Sequence, residues 1–404
     1  MITPSPPKSP TRYNTKIKLS PDQEKVLGEI WPWFAKKKSP FLTFGGYAGT
    51  GKTTLTAFFR NDLERKSPEI AVAFCSYTGR AARVLEQALR DHHAAYPQDT
   101  SGTIHSLIYE PEINRQGQVV AWRKKESLEA DLIIVDEASM VDAEIWADLL
   151  SFAIPILAVG DHGQLPPVHG NFNLMENPEL KLEKIHRQAQ GNPIIRLSEK
   201  VRQGEEIPFG DFGAVKKLAR SDEDTGEMVE DILSSGGEDL LVLVGYNSSR
   251  VRLNTLVREM KNRLESPPQR GDRIICLRND RRKGIYNGMR GEVVAIQPGS
   301  NKRGPDLWYE LAAQMDDGLA YSGRVLKAQF NSEKTIHSVP GLHYKKMGDL
   351  FDFGYALTVH KAQGSQAKKV LLFEERFRQL DDAAWYRWLY TAVTRAEEEL
   401  VIIG

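Results

Sequence analysis

A glycine-rich stretch, GYAGTGKTT at residues 46–54, contains the first residues whose types and spacing suit a chemical task. Glycines allow backbone N–H groups to converge on phosphate oxygens at the start of a helix. In this pattern Lys52 reaches the β and γ phosphates of a nucleoside triphosphate, and the Thr53 hydroxyl binds Mg²⁺. A predicted strand before the stretch and a predicted helix after it favour this interpretation over a chance glycine-rich turn. The residues expected to contact the nucleotide here are Gly46, Ala48, Gly49, Thr50, Gly51, Lys52, Thr53 and Thr54.

Two adjacent carboxylates follow an apolar run further along the chain, in LIIVDEASM at residues 132–140. The run is typical of a buried strand, and open α/β sheets bind their ligands at the carboxyl ends of such strands. Asp136 is therefore predicted to hold Mg²⁺ through water, and Glu137 to polarise the attacking water. The alternative is an acidic turn that caps a helix, since acidic side chains are favourable in a first helical turn.

A third polar segment, VGDHGQLPPV at residues 159–168, follows the next predicted strand. A glutamine at the carboxyl end of a strand can sense the γ-phosphate, so Gln164 is a candidate for coupling nucleotide state to the rest of the protein. Taken alone, the segment could equally be a loop stiffened by its two prolines. The catalytic interpretation therefore depends on the two earlier segments.

The elements that position these residues belong to a chain of 404 residues, long enough for two or three compact domains. Lys plus Arg and Asp plus Glu both number 54, so a polyanion would have to bind local patches. The two cysteines, Cys75 and Cys276, argue against a disulfide framework or a cysteine zinc site and predict a reducing, cytoplasmic location. No apolar run approaches the roughly 18 residues of a membrane-spanning helix. Residues 1–19 are expected to form a disordered, mildly basic tail.

The pattern of apolar runs predicts a parallel α/β sheet with two insertions. Residues 107–128 contain two β-capable runs around a turn, which predicts a hairpin. Residues 270–335 contain short strands separated by turns, the pattern of a small β-barrel. Residues 270–303 carry nine Lys or Arg against three acids, which taken alone favours an ordinary solvated face. The strands of the parallel sheet are expected at residues 41–44, 70–75, 132–135 and 154–159.

Eight segments in a fixed order resemble the motif series of the superfamily 1 helicases: GYAGTGKTT, SYTGRAARV, TIHSL, IIVDEASM, VGDHGQLPPV, IHRQ, YALTVHKAQGS and YTAVTRA. Within that superfamily the chain is most similar to the RecD/Dda-like 5′→3′ DNA helicases, over most of residues 20–404. The resemblance implies an α/β fold of two RecA-like P-loop domains with parallel sheets, with ATP between them and single-stranded DNA across their top. The implied units are 20–106 and 129–180 for the first domain, 107–128 for a pin-like hairpin, 181–268 and 345–404 for the second domain, and 269–344 for an SH3-like β-barrel whose basic excess would face DNA.

The resemblance also assigns residues outside the first three segments to ATP. Gln23 matches an adenine-contacting glutamine, although it could be an ordinary exposed helix residue. Arg187 and Arg395 match two arginines that reach the γ-phosphate from the second domain, although either alone could form a surface salt bridge. Guanidinium groups that arrive when a cleft closes stabilise a charge-rich transition state. Gly364 lies in a segment that touches both the nucleotide cleft and DNA.

The residues that the resemblance assigns to DNA come from three motifs. Hydroxyls and backbone N–H groups at a helix start suit phosphates, whereas a lone histidine is more often structural. The set is Thr78, Gly79, Arg80, Thr103, His105, His360, Lys361, Gln363 and Ser365. In the hairpin, Trp122 or Tyr109 could stack on a base or could equally anchor the hairpin to its own domain.

The function implied by the resemblance is an ATP- and Mg²⁺-dependent, monomer-capable motor that steps 5′→3′ on single-stranded DNA and unwinds duplex or forked DNA. The alternative is a nucleotide-gated DNA-binding or remodelling subunit that unwinds only within a larger complex. Single-strand-binding, replication or repair proteins are the expected partners. The choice of DNA over RNA rests on the resemblance, because no residue pattern identifies a reader of the 2′-hydroxyl. No cluster of carboxylates and lysine indicates a fused nuclease.

Overall fold

The computed structural model describes residues 19–36, 39–113, 119–167, 172–185, 191–235, 237, 239–263, 267–280, 282–299, 306–340, 347–378 and 380–404. These residues form two mainly parallel sheets, a five-stranded antiparallel sheet and a two-stranded hairpin. Residues 1–18 of the predicted tail, residues 114–118 of the predicted hairpin, and Arg187 lie outside the described residues. Of the helices that the structure describes, none combines the length and the apolar character needed to cross a membrane.

The first domain is built on a parallel sheet, which confirms the predicted α/β class. Its strands are β1 (Phe41–Gly46), β2 (Val72–Ser76), β3 (Thr100–Thr103), β4 (Tyr109–Ile113), β5 (Val119–Lys124), β6 (Leu132–Asp136), β7 (Ile156–Gly160) and β8 (Leu180–Leu182). Strands β4 and β5 pair as the antiparallel hairpin. The other six strands lie in the order β3-β2-β6-β7-β1-β8, and all their pairings are parallel.

Helices cover both faces of this sheet, which explains why its central strands are apolar throughout. They are α1 (Pro21–Lys36), α2 (Lys52–Lys66), α3 (Gly79–Asp91), α4 (Ile104–Ile108) and α5 (Ala143–Leu150). Successive side chains of β6 enter opposite cores: Ile134 packs with Phe44 and Leu55, whereas Ile133 packs with Trp146. This two-sided burial is the usual reason for a continuous apolar run in a parallel strand. Helix α1 begins at Pro21, a first-turn position that suits proline because its missing N–H would have no intrahelical partner there.

The second domain contains its own sheet and the antiparallel insertion. The strands are β9 (Gly210–Asp211), β10 (Val215–Leu218), β11 (Leu240–Val244), β12 (Arg273–Cys276), β13 (Arg290–Pro298), β14 (Trp308–Met315), β15 (Ala320–Leu326), β16 (Phe351–Phe353), β17 (Ala356–Thr358), β18 (Ala367–Phe373) and β19 (Ala396–Ile403). The domain's own sheet has the order β17-β11-β18-β19-β10-β9, parallel except for β9. Its helices are α6 (Pro193–Arg202), α7 (Glu223–Ser235), α8 (Asn247–Met260) and α9 (Asp382–Val393).

The antiparallel sheet has the order β15-β14-β13-β12-β16. A bridge between Val325 and Asp349 brings its first strand next to the segment that enters β16, so the sheet curls toward closure. Buried ion pairs attach it to α8: Arg250 contacts Asp352 at 2.5 Å, and Arg258 contacts Asp272 at 3.3 Å. Removing one partner of such a pair typically costs about 3 to 5 kcal/mol, because the other charge is left buried and unpaired, so these pairs fix the position at which the insertion meets α8.

Two observed strands extend beyond the predicted domain limits. Strand β8 pairs with β1, so the first sheet continues to Leu182, past the predicted end at residue 180. Strand β16 pairs with β12, so the antiparallel sheet continues to Phe353, past the predicted end at residue 344. In both cases a hydrogen-bonded neighbour distant in sequence decides which sheet the strand joins, and local patterning does not identify that neighbour.

Carboxylates neutralise part of the basic segment at residues 270–303. Arg273 contacts Asp316 at 2.7 Å, and Lys283 contacts Asp349 at 2.5 Å. Arg282 lies 3.4 Å from Asp280. The excess of basic residues in this part of the sequence therefore overstates the charge available to a polyanion.

Candidate nucleotide site and polynucleotide cleft

The phosphate loop connects β1 to α2 with the geometry that its glycines permit. Gly49 and Gly51 have φ values of 75° and 80°, in the left-handed region that glycine adopts without steric cost. The Lys52 ammonium donates to the carbonyl oxygens of Gly46 at 2.7 Å and Tyr47 at 3.0 Å. These bonds hold the lysine side chain across the loop, where a triphosphate would meet both the cation and the N–H groups that open α2.

Gln23 braces the phosphate loop from α1. Its side chain is 3 % exposed, its amide nitrogen donates to the Thr50 carbonyl at 3.2 Å, and its amide oxygen accepts from the Ser20 N–H at 3.1 Å. It is therefore not an exposed helix residue. Its contact with adenine stays a prediction.

Asp136 and Glu137 lie together at the carboxyl end of β6, beside β2 and β7. Burial first, and then the charge of the neighbouring Glu137, raise the pKa of Asp136 to about 6, against the opposing effect of the Lys52 ammonium. The charge of Lys52 in the phosphate loop therefore acts on Asp136. Glu137 has φ 54°, a conformation that costs a non-glycine residue about 1 to 3 kcal/mol. Its Oε2 atom is buried and has no hydrogen-bond partner among the described residues.

Gln164 lies in the loop that follows β7, next to the end of β6 where Asp136 and Glu137 lie. The side chain is 6 % exposed, and its Nε2 donates to Asp161 Oδ2 at 3.4 Å. The Oε1 atom is buried without a partner in the part of the chain that the structure describes. Buried polar atoms are normally hydrogen-bonded, so exceptions at two adjacent strand ends indicate a site built for a polar ligand.

The donor set at these strand ends fits Mg²⁺. Mg²⁺ is usually held by one or two carboxylates together with substrate phosphates and water, and a cage made wholly of protein ligands is not required. Across the described residues, no group of three or more His, Cys, Asp or Glu side chains forms a metal cage. The Asp136 carboxylate and the Thr53 hydroxyl, in the first turn of α2, are the two oxygen ligands that the protein would offer to Mg²⁺. Lys52, whose charge acts on Asp136, would bind the phosphates instead. The ion would neutralise charge on the phosphates when bound.

Side chains of the second domain bond directly to the loop after β7. Gln363 Nε2 donates to the Leu165 carbonyl at 2.6 Å, and the Leu165 N–H donates to Thr391 Oγ1 at 2.9 Å. Leu165 follows Gln164 in the chain, so both bonds hold the residue next to the predicted coupling residue from the second domain.

Arg395 lies at the end of α9 and is 1 % exposed. Its guanidinium donates to the carbonyls of Thr391 at 3.0 Å and Ser365 at 3.4 Å, and to the Thr394 hydroxyl at 3.2 Å. Among the residues that the structure describes, no carboxylate forms an ion pair with Arg395, so the alternative of a surface salt bridge does not apply to this arginine. Its contact with a γ-phosphate stays a prediction.

A cleft of about 630 Å³ lies between the first domain, the antiparallel sheet and the second domain. Met140 and Asp142, next to the carboxylate segment, lie on its wall, and so does Arg290 of β13. The cleft brings together residues predicted to bind DNA from three separate motifs and from the hairpin, namely Thr78, Gly79, Thr103, His105, Trp122, His360, Lys361, Gln363 and Ser365. The placement of the Arg80 side chain lies outside the described residues.

Two of these predicted residues have structural tasks. Thr78 Oγ1 accepts from the Ala81 N–H at 3.2 Å and caps α3, and it also donates to the Gly364 carbonyl at 3.0 Å. Thr103 Oγ1 accepts from the Ser106 N–H at 3.0 Å and caps α4. Capping satisfies N–H groups that a helix start leaves unpaired. The two threonines therefore place helix starts along the cleft.

Aromatic rings line the part of the cleft next to the antiparallel sheet. The His105 ring stacks on Tyr286 with centroids 3.3 Å apart, and Tyr77 packs edge-on at 6.2 Å. Tyr286 was not among the predicted site residues. The only local signal was an aromatic residue in the basic, glycine-containing string GIYNGMRG.

The two aromatic residues of the hairpin, Tyr109 and Trp122, have different surroundings. Tyr109 is 3 % exposed and donates to Asp148 Oδ2 at 2.5 Å, so it anchors the hairpin to its own domain. Trp122 lies on the cleft wall against Gly284, where a Cβ would lie 2.6 Å from the indole nitrogen. Gly284 also has φ 67°, so this approach requires glycine on two grounds.

Lys361 contributes a perturbed cation to the cleft. Burial, together with repulsion from Arg250, lowers its pKa to about 8, against the attraction of Asp352. Burial alone lowers the pKa of the neighbouring His360. A cation held in a partly dry cleft interacts strongly with an anion that enters it.

Comparison with known families identifies the chain. A family model described as an AAA domain matches residues 18–223, more than half of the 404 residues. The chain belongs to the AAA-domain family. A model of the UvrD-like helicase C-terminal domain matches residues 353–403. Together with the relatives below, these matches confirm the resemblance of this AAA-domain protein to RecD-like superfamily 1 helicases.

This AAA-domain protein spans about half to two thirds of the length of the two curated relatives named here. The ATP-dependent RecD2 DNA helicase of Deinococcus radiodurans is 28 % identical over 96 % of this chain and 49 % of the relative. The RecBCD enzyme subunit RecD of Mycobacterium tuberculosis is 27 % identical over 89 % of this chain and 66 % of the relative. A solved Pif1 helicase from Bacteroides in complex with ADP-AlF3 and ssDNA is 18 % identical, covers 96 % of this chain and 93 % of that chain, and has a TM-score of 0.49.

Proposed function

We propose that this chain is an ATP-driven DNA helicase that moves 5′→3′ along single-stranded DNA and separates duplex strands. One observation carries the proposal: the Gln363 amide, on the wall of the cleft, bonds at 2.6 Å to the loop that contains Gln164. A polymer in the cleft and a phosphate beside Gln164 would therefore act on the same short segment. This shared segment allows nucleotide hydrolysis to change the grip on DNA.

At the nucleotide site each residue has a distinct proposed task. Lys52 neutralises the β and γ phosphates, and Asp136 with Thr53 holds Mg²⁺. Glu137 orients the attacking water through its unpartnered oxygen. Arg395, and Arg187 by the family resemblance, would approach the γ-phosphate from the second domain as the domains close. Gln23 would contact adenine from α1.

In the cleft, the helix starts capped by Thr78 and Thr103 would direct N–H groups toward backbone phosphates. Lys361 would supply positive charge, and the Tyr286 and Trp122 rings on the cleft wall would offer stacking surfaces to bases, with His105, which lies between Tyr286 and Tyr109, supporting the Tyr286 ring. Stacking is tolerant of sequence, as a motor that travels along any strand requires. The names of the relatives, a RecD2 DNA helicase and a RecD subunit, support DNA as the polymer.

The test is strand separation on matched duplexes that carry either a 5′ or a 3′ single-stranded tail, with and without ATP and Mg²⁺. We expect ATP-dependent unwinding of the 5′-tailed duplex, and loss of both ATP hydrolysis and unwinding in Lys52→Ala. Preference for the 3′ tail would overturn the polarity. Hydrolysis stimulated by single-stranded DNA without unwinding would favour the alternative, a subunit that unwinds only within a larger complex, as the RecBCD subunit relatives suggest.

A further inference from the structure

Tyr390 lies where the second domain meets the phosphate loop. It belongs to α9 and is 1 % exposed. Its hydroxyl oxygen accepts a hydrogen bond from the Ala48 N–H at 2.9 Å, and the hydroxyl donates to Asp161 Oδ2 at 2.6 Å. One side chain of the second domain thus joins the phosphate loop to the loop that follows β7.

Close packing fixes the position of the Tyr390 ring. A Cβ at Gly163 would lie 2.9 Å from the Tyr47 ring and 3.0 Å from the Tyr390 ring, so only glycine fits between them. The guanidinium of Arg202, at the end of α6, covers the Tyr47 ring at 3.7 Å. The hydroxyl therefore cannot move away from the two loops unless the second domain moves with it.

The Asp161 carboxylate connects Tyr390 to Gln164, because it accepts hydrogen bonds from both side chains. Its Oδ1 accepts from the Gly163 N–H at 2.9 Å, and its Oδ2 accepts from both the Tyr390 hydroxyl and Gln164 Nε2. Because the carboxylate holds the amide nitrogen, the buried Gln164 Oε1 is directed away from it. Burial and the Asp161 charge raise the pKa of Tyr390 well above its ordinary value, so the hydroxyl remains a donor.

We propose that Tyr390 is a positioning residue: through Asp161 it sets the orientation of Gln164 and makes that orientation depend on where the second domain lies. The inference rests on the proposed function and adds the route by which α9 reaches the nucleotide site. A movement of the second domain driven by DNA would break or restore the Ala48 and Asp161 bonds together. DNA stimulation of ATP hydrolysis therefore needs the hydroxyl, whereas ATP binding does not.

The experiment replaces Tyr390 by phenylalanine, which keeps the ring against Gly163 and removes only the hydroxyl. The kcat and KM of ATP hydrolysis are measured with and without a saturating single-stranded oligonucleotide. We expect the DNA-stimulated kcat to fall by about tenfold or more, the size expected for a lost hydrogen bond to a charged group. The KM for ATP should change by less than the kcat, because the Lys52 contacts are untouched and, within the phosphate loop, only the Ala48 N–H loses its acceptor.

Tyr321→Phe is the matched control. Tyr321 is 4 % exposed and donates to Asp349 Oδ2 at 2.5 Å within the antiparallel sheet, so this variant loses a comparable bond remote from both loops. Both variants should show similar drops in thermal stability, and only Tyr390→Phe should lose DNA stimulation. Asp161→Asn, which weakens the same acceptor and keeps its shape, should reduce DNA stimulation in the same direction.

A double-mutant cycle with Gln164→Ala tests the route. If Tyr390 acts through Gln164, the double variant should be no slower than Gln164→Ala alone, because the two losses share one cause. If the fold-losses in DNA-stimulated kcat of the two single variants multiply in the double variant, the route through Gln164 is overturned. Unchanged DNA stimulation in Tyr390→Phe would overturn the proposal itself. A parent protein whose ATP hydrolysis does not respond to DNA would instead refute the proposed function, so the two failures are distinguishable.

Discussion

The proposed nucleotide site and the proposed polynucleotide cleft are built in opposite ways. The nucleotide site lies at the carboxyl ends of neighbouring strands of one sheet, and two of its buried atoms, Glu137 Oε2 and Gln164 Oε1, have no partner within the described residues. The cleft draws its walls from three parts of the fold, and its threonine hydroxyls already cap helices.

The difference follows from what each site must bind. Phosphoryl transfer needs charges and dipoles held ready in a place that excludes water, which a single rigid sheet can provide. A site through which a polymer passes must be wide, must expose aromatic ring faces and must make few fixed contacts. The walls of such a site can therefore come from structural units that move relative to one another. Away from the Gln363–Leu165 contact that joins the two regions, changes in the first should therefore alter ATP turnover far more than DNA affinity, and changes in the second should alter DNA affinity far more than ATP turnover.

The largest expected effect tests this separation at Glu137. Glu137→Gln keeps the shape and removes the base, so ATP turnover should fall about 10²- to 10⁴-fold while affinity for single-stranded DNA stays at the parent value. Steady-state ATP hydrolysis and fluorescence anisotropy with a labelled oligonucleotide measure the two quantities. Glu129→Gln, at an exposed position in a loop, is the charge-matched control. An equal loss of DNA affinity in Glu137→Gln would mean that the two regions are not separable.

A medium effect is expected at the aromatic stack. Tyr286→Leu removes the ring that stacks on His105, so affinity for single-stranded DNA should fall about tenfold, since stacking contributes about 1 to 3 kcal/mol per base. The kcat at saturating DNA should not change. Tyr309→Leu is the control, because this ring packs near Phe330 on the same antiparallel sheet and does not line the cleft. Parent-like binding by Tyr286→Leu would assign the ring to domain packing.

The smallest effect concerns pH. The Lys361 pKa of about 8 means that its ammonium is charged below that pH and neutral above it. Phosphates favour the charged form, so DNA affinity should decline as the pH rises from 7 to 9. The slope of log affinity against log salt should become smaller in magnitude by about 0.7, the value of one contact to a single strand. Lys361→Arg keeps its charge and should abolish this change, and a parent-like pH profile in that variant would assign the titration to another group.

Local sequence pattern predicted the residues at strand ends and failed for residues that act across domains. Asp136 and Glu137 could be predicted as site residues because an apolar run locates the end of a buried strand, and open α/β sheets bind ligands there. Tyr390 and Tyr286 gave no comparable signal, because their neighbours, Asp161 and His105, lie far away along the chain. The membership of β8 and β16 was missed for the same reason.

The order of the motifs in the sequence by itself determined the resemblance to RecD-like superfamily 1 helicases and the α/β class, and it predicts the composition of the nucleotide site, because each motif carries its chemistry within a few consecutive residues. Only the tertiary structure decided that Thr78 and Thr103 cap helices, that Tyr109 anchors the hairpin while Trp122 faces the cleft, and that Tyr390 contacts the phosphate loop. These roles depend on distances between residues far apart in the chain. The packing of the two domains sets those distances, and they cannot be predicted from the local sequence pattern.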